Sequence, residues 1–186
     1  MTIKEVIIGA ATLAGEEKTA KALIGTETAD DKEILGRIDL LTRLANLVIG
    51  ETAATYIPLK TEEKVGTADG KVYYADLKKN AVKILGVYDE FGDKLAFKHF
   101  GEYFSSARGT LSVVYAYSPS NLGLDDDAGY TERDVSANVL SYGVAAEYCL
   151  TQGRFDEAVM WRERYSDGIE AFCLPENRRT KRRGWL

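Results

Sequence analysis

The sequence has few of the residues that most often carry out catalysis or bind metals. It contains one histidine, His99, and two cysteines, Cys149 and Cys173, among 186 residues. The cysteine spacing matches no zinc or redox motif, and both cysteines lie in apolar helical patterns, so we expect buried thiols. His99 lies at the end of a strand-like run without a partner motif, which favours a packing role. There is no nucleophile elbow and no phosphate-binding glycine loop. The sequence therefore predicts no catalysis, no cofactor and no metal site.

Long apolar runs are missing as well. No stretch approaches the roughly 18 apolar residues that predict a membrane-spanning helix. The first residues, MTIKEVIIGAATLAGEE, carry acidic side chains that are atypical of a secretory signal peptide. With 45% hydrophobic and 28% charged residues, the composition is typical of a soluble globular protein. We expect an intracellular protein made of one compact domain, or of one domain that carries an insert.

Charge is distributed unevenly along the chain. The formal net charge is −5, yet residues 177–186 hold five basic residues and no acid. Residues 1–175 therefore carry 19 bases (24 − 5) and 28 acids (29 − 1, for Glu176), a net charge of −9. A body of that sign does not favour tight DNA binding by counterion release.

Helical patterns dominate residues 2–54. Ile3, Ile7, Ala10 and Ala14 repeat at helical spacing, and Gly15 ends this first helix. A polar, threonine-rich connector follows. Asp30 and Glu33 then have the spacing of a capping box. They predict the start of a second helix, whose apolar stripe consists of Ile34, Ile38, Leu41, Leu44 and Val48.

Residues 55–118 read as β structure. Short runs rich in Tyr, Val and Ile are separated by the turn signals Asp69-Gly70 and Phe91-Gly92-Asp93. In the run TLSVVYAY, Leu111, Val113, Tyr115 and Tyr117 share one face. We expect four or five strands that form a small antiparallel module.

An αα-hairpin is predicted for residues 131–174. Thr131 and Asp134 are spaced as an N-cap and an N3 acid, and Gly153 is placed to end the first helix. The apolar stripe of the first helix consists of Val135, Val139, Tyr142, Ala146 and Cys149. That of the second, which Pro175 ends, consists of Phe155, Ala158, Trp161, Tyr165, Ile169 and Phe172. The upstream triplet Asp125-Asp126-Asp127 lacks the alternating ligands of a calcium loop, which favours electrostatic repulsion or a capping and turn role.

These patterns predict an α+β protein: a four-helix bundle formed by two N-terminal helices and a C-terminal αα-hairpin, with an inserted small antiparallel β module. The predicted boundaries are 1–54 and 119–175 for the helical bundle domain, 55–118 for the β module and 176–186 for an extended C-terminal tail. The hairpin also looks like one tetratricopeptide unit. A repeat array would require further copies, and the sequence contains no second one.

The order of these segments resembles a known family. Two N-terminal helices, then DGKVYYADLKKNAVKILGVYDEFGDKLAFK, GTLSVVYAYSPSNLGLDDD and VLSYGVAAEYCLTQGRFDEAVMWRERYSDGI, are similar to the head–tail connector (adaptor) proteins of tailed bacteriophages. The similarity is to the branch in which a β module is inserted between helix pairs, and it covers residues 2 to about 173. It implies a homo-oligomeric ring, usually of twelve subunits, in the virion neck. This ring would be assembled in the host cytoplasm, dock on the portal, contact tail or stopper proteins and let the genomic DNA pass through its channel.

The resemblance also implies a partner for the basic tail. We expect Arg178, Arg179, Lys181, Arg182 and Arg183 to meet acidic groups of the portal, with Trp185 and Leu186 as apolar anchors. The alternative is a solvated tail that contacts DNA loosely, or nothing. Asp39 and Glu147 are candidates for acids that face the channel, or that solvate the outer surface. Three alternative functions stay open: a tetratricopeptide-like peptide-binding adaptor, another ring protein of the neck or tail completion, and an enzyme built from scattered carboxylates.

Overall fold

The computed structural model describes residues 1–26, 31–119 and 121–173. In these ranges the chain is α+β, as the sequence predicts, with five α-helices and two antiparallel sheets. The helices are α1 (Ile3–Leu13), α2 (Glu17–Ile24), α3 (Lys32–Glu51), α4 (Ala137–Thr151) and α5 (Phe155–Cys173). The strands are β1 (Leu59–Thr67), β2 (Lys71–Tyr73), β3 (Ala81–Tyr88), β4 (Lys94–Leu95), β5 (Lys98–His99), β6 (Tyr103–Ser105) and β7 (Gly109–Tyr117). A π-helical turn, Thr52–Tyr56, extends α3, and a 3-10 turn, Tyr74–Asp76, follows β2.

The five helices form what we call the helical body, in which α2 packs on α1 and α3 and the other helices pack around α4. This helix contacts α1, α3 and α5, and its Leu140 and Val144 are fully buried. Close approach depends on a small residue at position 143. A Cβ on Gly143 would lie 2.8 Å from Val48 Cγ1 and 3.0 Å from Tyr165 Cδ2. The glycine therefore lets α3, α4 and α5 share one densely packed core.

Polar contacts fix the corner between α1 and α2. The Glu16 carboxylate accepts hydrogen bonds from Tyr148 Oη (2.8 Å) and Arg37 Nη1 (2.6 Å). Arg154 Nη1 donates to the Ala14 carbonyl at 3.0 Å. These contacts tie the corner to α3, to α4 and to the start of α5. The hydrogen bond to Glu16 and, above all, burial raise the pKa of Tyr148 to about 12, which keeps it a donor.

Two helix starts differ from the predicted ones. Asp31, rather than Asp30, caps α3 by accepting the Glu33 N–H at 2.9 Å, and Asp30 lies outside the described residues. Ser136 caps α4. Thr131 and Asp134, predicted to cap that helix, instead close the preceding turn on each other. Residues of capping type recur upstream of each helix, so spacing alone does not select the one that caps.

Helix α2 replaces the connector predicted after Gly15. It spans only eight residues, too short for a clear apolar stripe and too short to be stable alone. Thr19, Ala20 and Leu23 are buried against the helical body, so tertiary packing stabilises it. The N-terminal part of the body thus contains three helices where the sequence predicted two.

The β module, residues 59–117, holds two sheets with the strand orders β1-β7-β3-β4 and β2-β6-β5. Seven strands replace the four or five predicted, because β4 and β5 have only two residues each and leave no periodic signal. The predicted turns at Asp69-Gly70 and Phe91-Gly92-Asp93 are confirmed, with left-handed backbone at Gly70 and Gly92. Burial of Leu111, Val113 and Tyr115 on one face of β7 is also confirmed.

The first and last strands of the module pair with each other. β1 and β7 run antiparallel from Leu59 opposite Tyr117 to Thr67 opposite Gly109. Both connections to the helical body therefore lie side by side at one end of the module. The module has its own cluster of buried side chains, centred on Phe104, and Tyr117 packs against both this cluster and the helical core.

The connection from β7 to α4 lies along the helical body. Asn46 Oδ1 accepts the Leu122 N–H at 2.7 Å, and Asn46 Nδ2 donates to the Leu122 carbonyl at 2.9 Å. Asp126 and Asp127 accept the N–H groups of Gly123 and Gly129 at 2.7 and 2.8 Å, which confirms a turn role for these two members of the acidic triplet. In the part of the chain that is described, no helix has the length and apolar character needed to cross a membrane.

Candidate interaction surfaces

The residues predicted to dock on a portal all lie outside the described residues. Arg178, Arg179, Lys181, Arg182, Arg183, Trp185 and Leu186 belong to the segment 174–186, so the docking assignment stays a prediction. The structure places the residue before that segment, Cys173, at the junction of body and module. Cys173 Sγ lies 3.9 Å from the Tyr56 carbonyl.

An open cavity of about 430 Å³ lies at this junction. It is lined by Tyr56, Ile57, Pro58, Leu59, Lys60, Gly129, Tyr130, Asp134, Phe172 and Cys173. Tyr130 Oη donates to the Ile57 carbonyl at 2.9 Å. Tyr165 Oη and Thr52 Oγ1 are 2.9 Å apart on the core side. Burial raises the pKa of Tyr130 and raises that of Tyr165 to about 12. Both phenols therefore stay neutral and hold the wall of the cavity in place.

Replacing Asp134, at the rim of this cavity, by asparagine is expected to destabilise the fold at neutral pH only. The Asp134 carboxylate accepts the Thr131 hydroxyl (2.7 Å) and N–H (3.0 Å), and these bonds lower its pKa. A lowered folded-state pKa stabilises the fold at pH values above the unfolded-state pKa of about 3.9. This contribution is lost as the pH falls through the folded-state pKa. Urea unfolding of both proteins should differ at neutral pH and converge in acid, once the Asp134 carboxyl group is protonated in the folded and the unfolded state alike. An equal difference at both pH values would contradict this role.

His99 is exposed and packs in a small polar and aromatic contact, consistent with the predicted packing role. Its Nδ1 lies 2.8 Å from Tyr74 Oη, and its ring meets Phe97 edge-on at 5.1 Å. Over the described ranges, no group of three or more histidine, cysteine or acidic side chains is arranged to hold a metal ion.

A wider cavity, about 530 Å³, lies on the outer face of the four-stranded sheet and carries Glu62, Asp89 and Glu90. Two of these acids already have hydrogen-bond partners. Glu62 accepts from Ser112, and Asp89 accepts the N–H groups of Phe91 and Asp93 at 2.9 and 2.8 Å. They close a strand contact and a turn, which gives them a structural role.

The outward side of α5 forms a first exposed surface, which we call the α5 face. Its apolar part consists of Phe155, Val159 and Met160, of which Phe155 is 66% and Val159 58% exposed. Its acidic part consists of Asp156, Glu163, Asp167 and Glu170, all exposed. Within the described residues, none of these four carboxylates forms an ion pair. Apolar and acidic side chains thus share a surface that the described residues leave open.

The three-stranded sheet carries a second exposed surface, which we call the aromatic sheet face. Phe100 stacks on Tyr103 with ring centroids 4.8 Å apart, and Tyr73 lies 5.5 Å from Tyr103. Phe100 is 46% and Tyr73 42% exposed. Lys71 Nζ lies 5.3 Å from the Tyr103 ring centre. Lys98 is the cross-strand neighbour of Ser105 in β6. The face is therefore aromatic at one end and basic at the other.

Several side chains in the predicted helical stripes lie elsewhere. Cys149 is buried as expected, but Cys173 is exposed. Phe155 and Phe172 are also exposed, and the stripe of α5 reduces to Ala158, Trp161, Tyr165 and Ile169. Helical spacing assigns a residue to one face of a helix, but residues at the two ends of that face lie beyond the neighbouring helix and stay exposed. The α5 face was missed for this reason, although two apolar residues between acids, at Val159 and Met160, signal it.

The two acids considered as channel-facing have partners within the subunit. Asp39 pairs with Arg43 one turn along α3. Glu147 accepts from Arg162 Nη1 at 2.8 Å, and Arg162 also contacts Glu51. Their orientation towards a channel stays a prediction. A comparison of the chain with models of known protein families gives no match, and neither does a comparison with curated proteins.

Proposed function

We propose that this chain is a structural protein of a tailed-phage virion: a head–tail connector (adaptor) subunit of a homo-oligomeric ring that docks on the portal and links capsid to tail. The observation that carries this proposal is a β module inserted into a helical body between α3 and α4, whose first and last strands pair so that its two connections lie side by side. The same order of segments underlies the resemblance to the adaptor family. In this proposal α1, α3, α4 and α5 are the adaptor-type four-helix bundle, and α2 is an addition to it.

The position of α5 supports a docking role for the segment that follows it. The helix reaches the junction of body and module, beside the open cavity lined by Phe172 and Cys173. From there, residues 174–186 add five bases, one acid, a tryptophan and two leucines. Arginine side chains bind carboxylates in a bidentate manner, and a tryptophan inserted in a pocket is a common hot spot. We propose acidic groups around an apolar pocket of the portal as the partner.

The tetratricopeptide-like alternative receives no support from the packing of the α4–α5 hairpin. Both α1 and α3 pack on α4, whereas a repeat array would stack further hairpins there.

Deletion of residues 177–186 is expected to abolish binding to the portal of the same phage while the described fold stays intact. Circular dichroism and thermal unfolding would establish the fold, and co-sedimentation with purified portal would measure binding. Two full-length variants separate the contributions. Trp185→Ala should weaken binding at least about 30-fold if the indole is a hot spot worth about 2 kcal/mol. Replacement of the five bases by glutamine should remove most of the salt dependence. A truncated chain that still assembles on portal would refute the docking role.

A further inference from the structure

We propose that neighbouring copies of this chain bind head to tail, with the aromatic sheet face of one copy on the α5 face of the next. This inference rests on the homo-oligomeric part of the proposed function and goes beyond it by naming the two surfaces. The two faces are different patches of the same subunit, so their contact is heterologous. Contacts of this kind repeat around an axis and close into rings when the rotation allows.

Charge complementarity identifies a second copy as the occupant. The α5 face offers four carboxylates that form no ion pair within the described residues. The aromatic sheet face offers Lys71 and Lys98, both exposed. In charge terms, the helical parts of the chain, 1–54 and 119–173, hold 10 bases and 20 acids, whereas residues 55–118 hold 9 bases and 8 acids. The module of one copy is therefore attracted to the body of another.

The apolar parts of the two faces also suit each other. Tyr73, Phe100 and Tyr103 form a row of touching rings, and aromatic rings supply large contact area at low cost in side-chain entropy. Opposite them, Phe155, Val159 and Met160 would bury apolar surface that is now exposed to water. The charged groups then surround an apolar centre, which is the usual anatomy of an interface.

One subunit cannot bring its own two faces together. The apolar part of the α5 face lies at the start of α5, next to the turn at Gly153. The β module joins the body at the other end of α5, roughly 27 Å along the helix, where Cys173 contacts Tyr56. No strand is among the elements that pack closely on α5 in the described residues, and the three-stranded sheet begins only at Lys71, after the end of β1 that lies far from the junction. The two faces are therefore not packed on each other within one subunit, and we place their contact between copies.

A pair of charge-reversed variants tests this contact. The first carries Lys71→Glu and Lys98→Glu, and the second carries Asp156→Lys and Glu163→Lys. All four positions are exposed, so both variants should keep the circular dichroism spectrum of the wild type. Analytical ultracentrifugation should find concentration-dependent association of the wild type, and association of each variant alone at least about tenfold weaker.

The decisive measurement is an equimolar mixture of the two variants. Each retains one intact face, and the two reversed faces also complement each other in sign, so the two variants should associate with each other about as strongly as the wild type associates with itself. A chain that carries all four substitutions should regain self-association, because both signs are reversed together. Phe91→Ser, at an exposed apolar position in the turn between β3 and β4, is the matched control and should associate like the wild type.

Three results would overturn the inference. The first is a wild type that stays monomeric at about 1 mM, a concentration at which even a weak contact is populated. The others are a charge-reversed variant that associates with itself as strongly as the wild type does, and a mixture in which the two variants do not associate with each other. The proposed function is tested separately by portal binding. A chain that is monomeric alone yet forms a ring on the portal would refute the contact proposed here and leave the adaptor role standing.

Discussion

Replacement of Phe104 by alanine is expected to unfold the β module while the helical body stays folded. Phe104 is fully buried at the centre of the cluster formed by Val72, Ile84, Leu111 and Val113. Loss of a buried phenylalanine side chain costs about 3–5 kcal/mol. A unit of about 60 residues has roughly 3–9 kcal/mol of stability in total. The substitution therefore removes most of the stability of the module, whereas the stability of the helical core depends little on Phe104.

Hydrogen exchange measured by mass spectrometry would follow the two parts of the molecule in one experiment. In Phe104→Ala, the amides of β3 and β7 should lose protection, whereas those of α1 and α4 should keep it. Phe91→Ala makes the same chemical change at a position that is 83% exposed and should alter stability by less than about 0.5 kcal/mol. Simultaneous loss of protection in strands and helices would mean that body and module unfold as one cooperative unit, contrary to the predicted domain boundaries.

A valine at position 143 is expected to lower the free energy of unfolding of the helical body by about 3 kcal/mol, at the upper end of the usual cost of overpacking. Even the first added carbon would lie 2.8 Å from Val48 Cγ1 and 3.0 Å from Tyr165 Cδ2. Both neighbours are buried and belong to α3 and α5, so relief requires the helices to separate. Thermal unfolding should then move to lower temperature by about 6–12 °C.

The matched control is Gly36→Ala, in α3. A Cβ at Gly36 meets no heavy atom within 4 Å, and the residue is exposed. Because glycine is a poor helix former, alanine there should raise stability by about 0.5–1 kcal/mol. Changes of opposite sign in the free energy of unfolding would establish that the steric contact at Gly143, and not helix propensity, determines the effect of that substitution. A stabilising Gly143→Val would contradict the packing described for α3, α4 and α5.

Local signals in the sequence identified the blocks of structure but not all of their members. The stripes of α1, α4 and α5 and the turn glycines were readable because each depends on residues near one another in the chain. Helix α2 was not, since its eight residues are stabilised by contacts with the rest of the body. The short strands β4 and β5 were also missed, because two residues carry no alternation.

The interaction surfaces were even less accessible to sequence analysis. Phe155 fits the spacing of the α5 stripe, yet it lies beyond the part of the helix that its neighbours cover. The aromatic sheet face depends on Tyr73 and Tyr103, which are cross-strand neighbours although 30 positions separate them in the chain. Whether an aromatic residue lies inside or outside is decided by its partner strand, and the sequence does not specify that partner.

By itself, the sequence determined the α+β class, the division into helices, strands and helices, and the separation of an acidic body from a basic end. Each of these follows from composition or from periodicity between close neighbours. Only the tertiary structure decided that β1 pairs with β7, that Gly143 admits two neighbouring helices, and that the α5 face and the aromatic sheet face are exposed. Those features depend on contacts between residues far apart in the chain, and they form only when the chain has folded.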